Sequence, residues 1–112
     1  MIKIAFLGPE SSGKTTLAEM LAKKLNCSLV SEYARKYLEN KPDYSVQDLK
    51  KIAEVQSREL YKKSKKTEMF LISDTCLIDI EIWSEVKFKT LDPEIKKNSD
   101  EEKFDIYFLC KP

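Results

Sequence analysis

The chain has 112 residues, of which 42% are hydrophobic and 35% are charged, a balance typical of a globular protein with a well-solvated surface. At this length we expect one domain, residues 1–112, with a single core. Twenty basic and nineteen acidic residues leave a net charge of +1, which argues against nucleic acid or membrane as a partner. The sequence shows no signal-peptide pattern and no apolar run long enough to span a bilayer.

The three cysteines are Cys27, Cys76 and Cys110. They lie in or beside apolar segments without CxxC spacing, and the chain has no histidine that would join them in a zinc site. We therefore expect buried, reduced thiols in a cytoplasmic protein.

Strand and helix patterns alternate along the chain. Short apolar runs predict strands at residues 2–7, 27–32, 69–73 and 104–110. Helical spacing or helix-compatible composition is found at residues 14–25, 32–39, 46–66, 77–88 and 92–103. Strands separated by helices predict an α/β fold whose sheet of about four strands is parallel.

Particular residues mark the faces of these helices. Ser45 and Asp48 predict a capping box at the start of the long helix, and its basic end, "KKSKK", reads as a solvated helix end because no aromatic residues are interleaved. In the helix at 77–88, Ile78 and Ile82 lie one turn apart. The residues that we expect on the inner faces of the first and the long helix are Leu17, Ala18, Leu21, Ala22 and Leu25, and Val46, Leu49, Ile52, Ala53, Val55, Gln56 and Leu60.

The stretch "GPESSGKTT" fits the phosphate-loop pattern GxxxxGK[ST] and stands between a predicted strand and a predicted helix. Glycines allow backbone N–H groups to converge on an anion, and the start of the helix adds unpaired N–H donors. The alternative is an ordinary strand–helix turn with a threonine at the helix start. The pattern predicts that ATP phosphates are held by Gly8, Pro9, Glu10, Ser11, Ser12, Gly13, Lys14, Thr15 and Thr16, with Lys14 neutralising the β- and γ-phosphates.

Asp74 ends the third apolar run, where P-loop folds place the acidic residue of the magnesium shell. Together with the Thr15 hydroxyl, it is predicted to hold Mg²⁺. An aspartate after a strand is otherwise a turn or helix-cap residue.

The sequence resembles the NadR-like P-loop domains, a family that includes the ribosylnicotinamide kinase half of bifunctional NAD-salvage proteins. The resemblance rests on "GPESSGKTTLAEMLA", "VSEYARKYLE", "DLKKIAEVQ", "LISDTCLIDIEIWSE" and "FDIYFLCKP", which follow in the family's order over nearly the whole chain. The phosphate loop alone would indicate only a P-loop fold, whereas Glu-Tyr-Ala-Arg at 32–35 makes the resemblance specific.

The resemblance implies a three-layer P-loop NTPase fold of kinase-type strand order, with the Asp74 strand next to the loop strand. It also implies a kinase of NAD metabolism that uses ATP and Mg²⁺ to phosphorylate nicotinamide riboside or another nucleoside. Lys14, Glu32 and Asp74 are the implied catalytic residues, and Glu32 and Arg35 are the implied acceptor-binding residues. Either Glu32 or Asp74 would position the acceptor hydroxyl.

More ordinary roles are available to these side chains. Glu32 complements the dipole of a short helix, and Arg35 is then a surface ion-pair partner. Tyr33 and Trp83 are candidates for stacking on a pyridine ring, although aromatic residues at helical spacing usually belong to the core.

The chain departs from the family pattern at two places. Cys76 stands where the family often carries another acid, and the family's lid and last strand, which follow the fourth strand, are missing from residues 1–112. A lid usually carries cationic residues that stabilise the transferring phosphoryl group, and one such residue raises the rate by about 10³ to 10⁵. We therefore expect a truncated chain to keep its phosphate and Mg²⁺ contacts and to lose fast catalysis.

Two other functional classes remain open on the sequence. One is a regulatory ATP-switch module without an acceptor; its GTPase version is disfavoured, because "FLCKP" lacks the asparagine and aspartate of the guanine-reading Asn-Lys-x-Asp motif. The other is a non-catalytic fragment whose exposed sheet edge leads to self-association.

Overall fold

The computed structural model describes residues 1–9, 13–66 and 68–111. Within them lie four strands and five helices, with one or two helices between successive strands. The strands are β1 (Ile2–Leu7), β2 (Ser28–Val30), β3 (Phe70–Asp74) and β4 (Ile106–Leu109). The helices are α1 (Lys14–Leu25), α2 (Tyr33–Leu38), α3 (Val46–Ser64), α4 (Leu77–Phe88) and α5 (Pro93–Glu101). Each predicted strand and helix is confirmed, with small differences at the ends.

The four strands form one sheet in the order β2-β3-β1-β4, and each observed pairing is parallel. β3 lies between β2 and β1, which confirms that the Asp74 strand is next to the loop strand. Because the strands are parallel, their carboxyl ends meet at one edge of the sheet. This edge brings together the loop after β1, Glu32 after β2 and Asp74 at the end of β3.

Helices cover both faces of the sheet, as in a three-layer fold. Ile72 of β3 faces α1 and packs with Ala18 and Ala22, while its neighbour Leu71 packs with Leu60 of α3 on the opposite face. The alternation follows from the two-residue period of a strand. A third cluster joins helices α2 to α5, and its buried members are Ala34, Leu49, Ile52, Ala53, Leu77, Ile80 and Ile95.

Helix α3 follows its sequence closely. The Ser45 side chain accepts a hydrogen bond from the Asp48 N–H, and the Asp48 side chain accepts one from the Ser45 N–H, so the capping box is confirmed. Six of the seven residues predicted for its inner face are buried, and Val46 is half-buried.

One helix differs from expectation in which side chains are buried. Leu17 of α1 is exposed, because the helix packs closely on the sheet through the small residues Ala18 and Ala22. In α4, the helical spacing of Ile78 and Ile82 is confirmed; both are exposed, and the helix buries Leu77, Ile80 and Ser84.

Strand β4 is the edge of the sheet beside β1, and its four residues are exposed, Leu109 by 74%. Self-association through this edge stays a prediction. The three cysteines are free thiols; Cys76 and Cys110 are buried as expected, and Cys27 is half-buried.

Candidate functional site

The phosphate loop leaves β1 at Gly8 and enters α1 at Gly13. Both glycines have positive φ, 141° at Gly8 and 79° at Gly13, a region that residues with a Cβ rarely adopt. Glu10, Ser11 and Ser12 lie outside the described residues. Pro9 lines a cleft beside the loop, and Thr16 is exposed in the first turn of α1. Their phosphate contacts stay a prediction.

Gly8 has a packing role that the motif alone does not reveal. A Cβ at Gly8 would overlap the carbonyl oxygen of Cys110 and lie 3.2 Å from the Cys110 Cβ. The bare Cα thus lets the start of the loop lie against the end of β4. At Gly13, by contrast, the space for a Cβ is open.

We expect Gly8→Ala to lower the free energy of unfolding markedly, because overpacking and a strained φ each cost about 1–3 kcal/mol. Gly13→Ala is the matched control, because it introduces a left-handed backbone cost of roughly 1–2 kcal/mol without a collision. Urea denaturation of the two variants measures the difference. Equal losses would mean that the contact with Cys110 has no energetic weight.

Lys14 lies at the centre of an acidic cluster at the carboxyl edge of the sheet. Its Nζ is 3.1 Å from Glu32 Oε2, 3.8 Å from Asp74 Oδ1 and 3.9 Å from Asp79 Oδ2. The Lys14 side chain is only 5% exposed, and buried charges of this kind are kept by pairing. Three carboxylates therefore share one ammonium group.

Thr15 and Asp74 are brought together as the magnesium prediction requires. The Thr15 hydroxyl donates to Asp74 Oδ2 at 2.7 Å, and Arg35 Nη2 donates to Thr15 Oγ1 at 3.0 Å. Arg35 thus lies at the phosphate end of the site rather than among the residues that line the cleft, and its acceptor-binding role stays a prediction.

These residues fit a Mg²⁺ ion bound together with nucleotide phosphates. Asp74 Oδ1 is buried without a hydrogen-bond partner among the described residues, which leaves one carboxylate oxygen available to a cation or its water. Within the described ranges, no cluster of three or more His, Cys, Asp or Glu side chains is arranged to hold a metal ion. Mg²⁺ usually takes one or two protein ligands and fills its shell with phosphate and water.

The backbone is strained where β3 leads into α4. Thr75 has φ 103°, a genuine outlier for a β-branched residue. Its hydroxyl donates to Asp79 Oδ2 at 2.8 Å, and the Ser73 hydroxyl donates to its carbonyl oxygen at 2.7 Å. Strain of this kind is concentrated at functional sites. The hydrogen bond from Thr75 holds the Asp79 carboxylate next to Lys14.

Burial raises the pKa of Glu32 and of Asp79 above their ordinary values, and the attraction of Lys14 opposes this shift only in part. A further hydrogen bond from the Gly8 backbone also lowers the pKa of Asp79. Perturbed carboxylates in a cleft are typical of catalytic sites, although structural ion pairs produce them too.

The raised pKa values predict how stability depends on pH. Where a carboxyl group has a higher pKa folded than unfolded, the folded state binds more protons, so its stabilisation is complete below the unfolded pKa and is lost as pH rises through the folded pKa. Glu32→Gln removes the titrating group and with it this pH-dependent loss of stability. The free energy of unfolding of Glu32→Gln should therefore rise relative to that of the wild type as pH increases from 4.5, the ordinary pKa of glutamate. Denaturation at several pH values measures this, and an advantage that shrinks with pH would contradict it.

A cleft of about 730 Å³ opens beside the acidic cluster. Its polar wall includes Lys14, Glu32 and Asp79, while Asp74 is not among the residues that line it. The residues of the mainly apolar remainder include Ala34, Leu38, Ile52, Ile80, Ile82, Trp83, Val86 and Leu109. A pocket with an apolar wall and a few convergent polar groups is the usual form of a small-molecule site.

The two predicted stacking residues have different surroundings. Trp83 lines the cleft and also contacts Tyr44, with ring centroids 5.5 Å apart. Tyr33 does not line the cleft and packs against Tyr37 at 5.8 Å, which favours the core interpretation for it.

Sequence reasoning missed Asp79, Thr75 and Gln56 as residues of this site. Asp79 is an acid in the first turn of a helix, where interaction with the helix dipole is a sufficient explanation. Thr75 gave no signal, because its strain is a property of the folded backbone. For Gln56, the signal was a polar amide on an otherwise apolar helix face.

A family model described as an AAA domain matches residues 3–112. The chain belongs to this family. Among curated protein sequences, none matches the chain. Within the described parts of this AAA domain, no helix combines the length and the apolar character needed to cross a membrane.

Solved structures share the fold of this AAA domain. NadR protein in complex with NR matches with a TM-score of 0.87 and 23% identity over 96% of this chain and 33% of that one. NadR in complex with NAD and AMP-PNP gives 0.85, also at 23% identity over 96% and 33%. Deoxyadenosine kinase from M. mycoides gives 0.68 and 20%, over 96% of this chain and 63% of the other.

The AAA domain thus spans about a third of the length of these NadR chains. It has the parallel P-loop fold that NadR shares with nucleoside and nucleotide kinases such as the deoxyadenosine kinase. The strand order and the three layers predicted from the resemblance are confirmed.

Proposed function

We propose that this chain binds ATP with Mg²⁺ and acts as a nucleoside kinase that transfers the γ-phosphoryl group to an acceptor hydroxyl, with nicotinamide riboside as the first candidate acceptor. The observation that carries the proposal is the placement of Glu32. Its carboxylate is 3.1 Å from the phosphate-loop lysine and also lines the cleft of about 730 Å³. In the proposed complex, a group in this position would touch both the nucleotide and the acceptor.

In this proposal Lys14 neutralises the β- and γ-phosphates, and Thr15 and Asp74 hold the Mg²⁺ ion, which supplies charge neutralisation during transfer. Lys14 must then exchange at least part of its contact with Glu32 for the phosphates. Release of Lys14 leaves the Glu32 carboxylate available to accept a proton from the acceptor hydroxyl.

The geometry favours Glu32 over Asp74 as the residue that positions the acceptor. One oxygen of Asp74 accepts the Thr15 hydroxyl, and Asp74 does not line the cleft. Glu32 lines the cleft, and its raised pKa moves it towards the range in which a general base works efficiently.

The experiment that tests the kinase proposal is a panel of nucleosides incubated with Mg·ATP, with mass spectrometry of the products and a longer NadR-like protein as the positive control. A phosphorylated nucleoside supports the proposal. Product from the longer protein but never from this chain would mean that residues 1–112 alone cannot complete the transfer. Mg·ATP binding without a phosphorylated nucleoside from either protein would favour an ATP-switch module. The apolar cleft weighs against that alternative, because a switch needs no acceptor pocket.

A further inference from the structure

Gln56 is the one polar residue among the six buried residues of α3. It is 2% exposed and lines the cleft together with Ala34, Ile80 and Trp83. A buried amide is normally hydrogen-bonded on both its oxygen and its nitrogen.

Only half of this amide is satisfied within the described residues. The Tyr33 N–H donates to Gln56 Oε1 at 3.0 Å. Because a backbone N–H can only donate, this contact identifies the oxygen of the amide and fixes its orientation. Nε2, with its two N–H groups, is buried without a hydrogen-bond partner.

The position of the amide indicates which part of a ligand it would meet. Lys14 and Glu32 belong to the acidic cluster beside which phosphoryl transfer would occur. Ala34, Ile80 and Trp83 pack together in one cluster and line the cleft as an apolar surface suited to a flat ring. Gln56 lines the same cleft, and its Nε2 lies just beneath the cleft surface. A ligand that reaches this donor satisfies it only with an acceptor on its ring edge, so the donor favours such ligands over those without an acceptor.

We propose that Gln56 is a specificity-determining residue, which donates from Nε2 to an exocyclic carbonyl oxygen on the heterocycle of the acceptor nucleoside. This inference rests on the proposed function, since it concerns the acceptor side of the same cleft. It selects nucleosides with a carboxamide or oxo group on the ring over those with an unsubstituted ring edge.

A purely structural role for Gln56 would involve its oxygen alone. That oxygen accepts the N–H of Tyr33, the first residue of α2 and the neighbour of Glu32. Its removal would weaken the binding of all nucleosides by a similar factor. A donor to the ligand, by contrast, discriminates between two nucleosides that differ only in the carbonyl group.

The test uses nicotinamide riboside and ribosylpyridinium, which lacks the carboxamide. Binding is followed through the fluorescence of Trp83, the chain's single tryptophan, so that no turnover is required. We expect nicotinamide riboside to bind the wild type about tenfold more tightly than ribosylpyridinium. In Gln56→Met, which has a similar volume and no amide, this ratio should fall to about one.

A thermal shift with Mg·ATP shows whether Gln56→Met is folded and still binds nucleotide. The ratio of the two nucleoside affinities in the wild type is a second measurement, which needs no variant. Equal affinities in the wild type, or an unchanged ratio in Gln56→Met, would overturn the inference. So would the absence of binding by nicotinamide riboside and by inosine, which carries a ring carbonyl of its own. Phosphorylation of nucleosides without preference for a ring carbonyl would support the kinase proposal and contradict the specificity role of Gln56.

Discussion

Replacement of Lys14 by alanine is expected to abolish the stabilisation of the chain by Mg·ATP. In the wild type, a ligand at one hundred times its Kd adds about 2.7 kcal/mol, which for a domain of this size raises Tm by roughly 10 °C. Lys14 is the buried cation next to the phosphate loop, and its loss removes the charge that would face the β- and γ-phosphates. Thermal unfolding with and without Mg·ATP measures the effect.

Each Lys14 variant must be compared with its own nucleotide-free form. Lys14→Ala leaves Glu32, Asp74 and Asp79 without their shared cation, so its own stability falls as well. Lys24→Ala is the matched control, because Lys24 is an exposed lysine near the other end of α1. A full Mg·ATP response in Lys14→Ala would contradict a phosphate role for this residue.

Glu32→Gln is expected to lower kcat for nucleoside phosphorylation by about 10² to 10⁴, the usual contribution of general base catalysis. The substitution keeps the shape of the side chain and removes its ability to take a proton. Because Thr15 and Asp74 are untouched, the thermal shift with Mg·ATP should persist. Product formation in single-turnover reactions, measured beside the thermal shift, separates catalysis from binding.

Asp74→Asn serves as the contrasting variant for Glu32→Gln. Its Oδ2 accepts the Thr15 hydroxyl, and its Oδ1 has an ion-pair contact with Lys14 but no hydrogen-bond partner among the described residues. Neutralisation of this carboxylate should therefore weaken binding of Mg·ATP far more than binding of ATP without Mg²⁺. If Asp74→Asn weakens both equally, the magnesium role is wrong. If Glu32→Gln retains wild-type turnover, its assignment as the base is wrong.

Lys14 lies among three carboxylates at the carboxyl edge of the sheet. Three acids against Lys14, with Arg35 at the edge, leave an excess of negative charge that would repel a bare polyphosphate. Mg²⁺ reduces this repulsion, and the contact of Lys14 with Glu32 is one that nucleotide binding would have to replace. The same residues are therefore expected to link nucleotide binding, metal binding and the protonation of Glu32.

The order of strands and helices was predictable from local pattern. Apolar runs of strand length, the Ser45–Asp48 capping box and the inner face of α3 each depend on residues close in sequence, and each is confirmed. The inner face of α1 was predicted less well, because Leu17 is exposed where the helix packs through Ala18 and Ala22. In α4 the exposed Ile82 lines the cleft, while Ser84 is buried and donates to the Thr90 carbonyl.

The sequence by itself determined the phosphate loop, its strand–helix setting and, through the resemblance, the neighbouring positions of the loop strand and the Asp74 strand. These features depend on short spacings and on the geometry of parallel strands. Only the tertiary structure decided which side chains meet. The approach of Asp79 to Lys14, the close contact of Gly8 with Cys110 and the half-satisfied amide of Gln56 join residues far apart in the chain. Such contacts are set by the packing of whole helices and strands, so no local pattern specifies them.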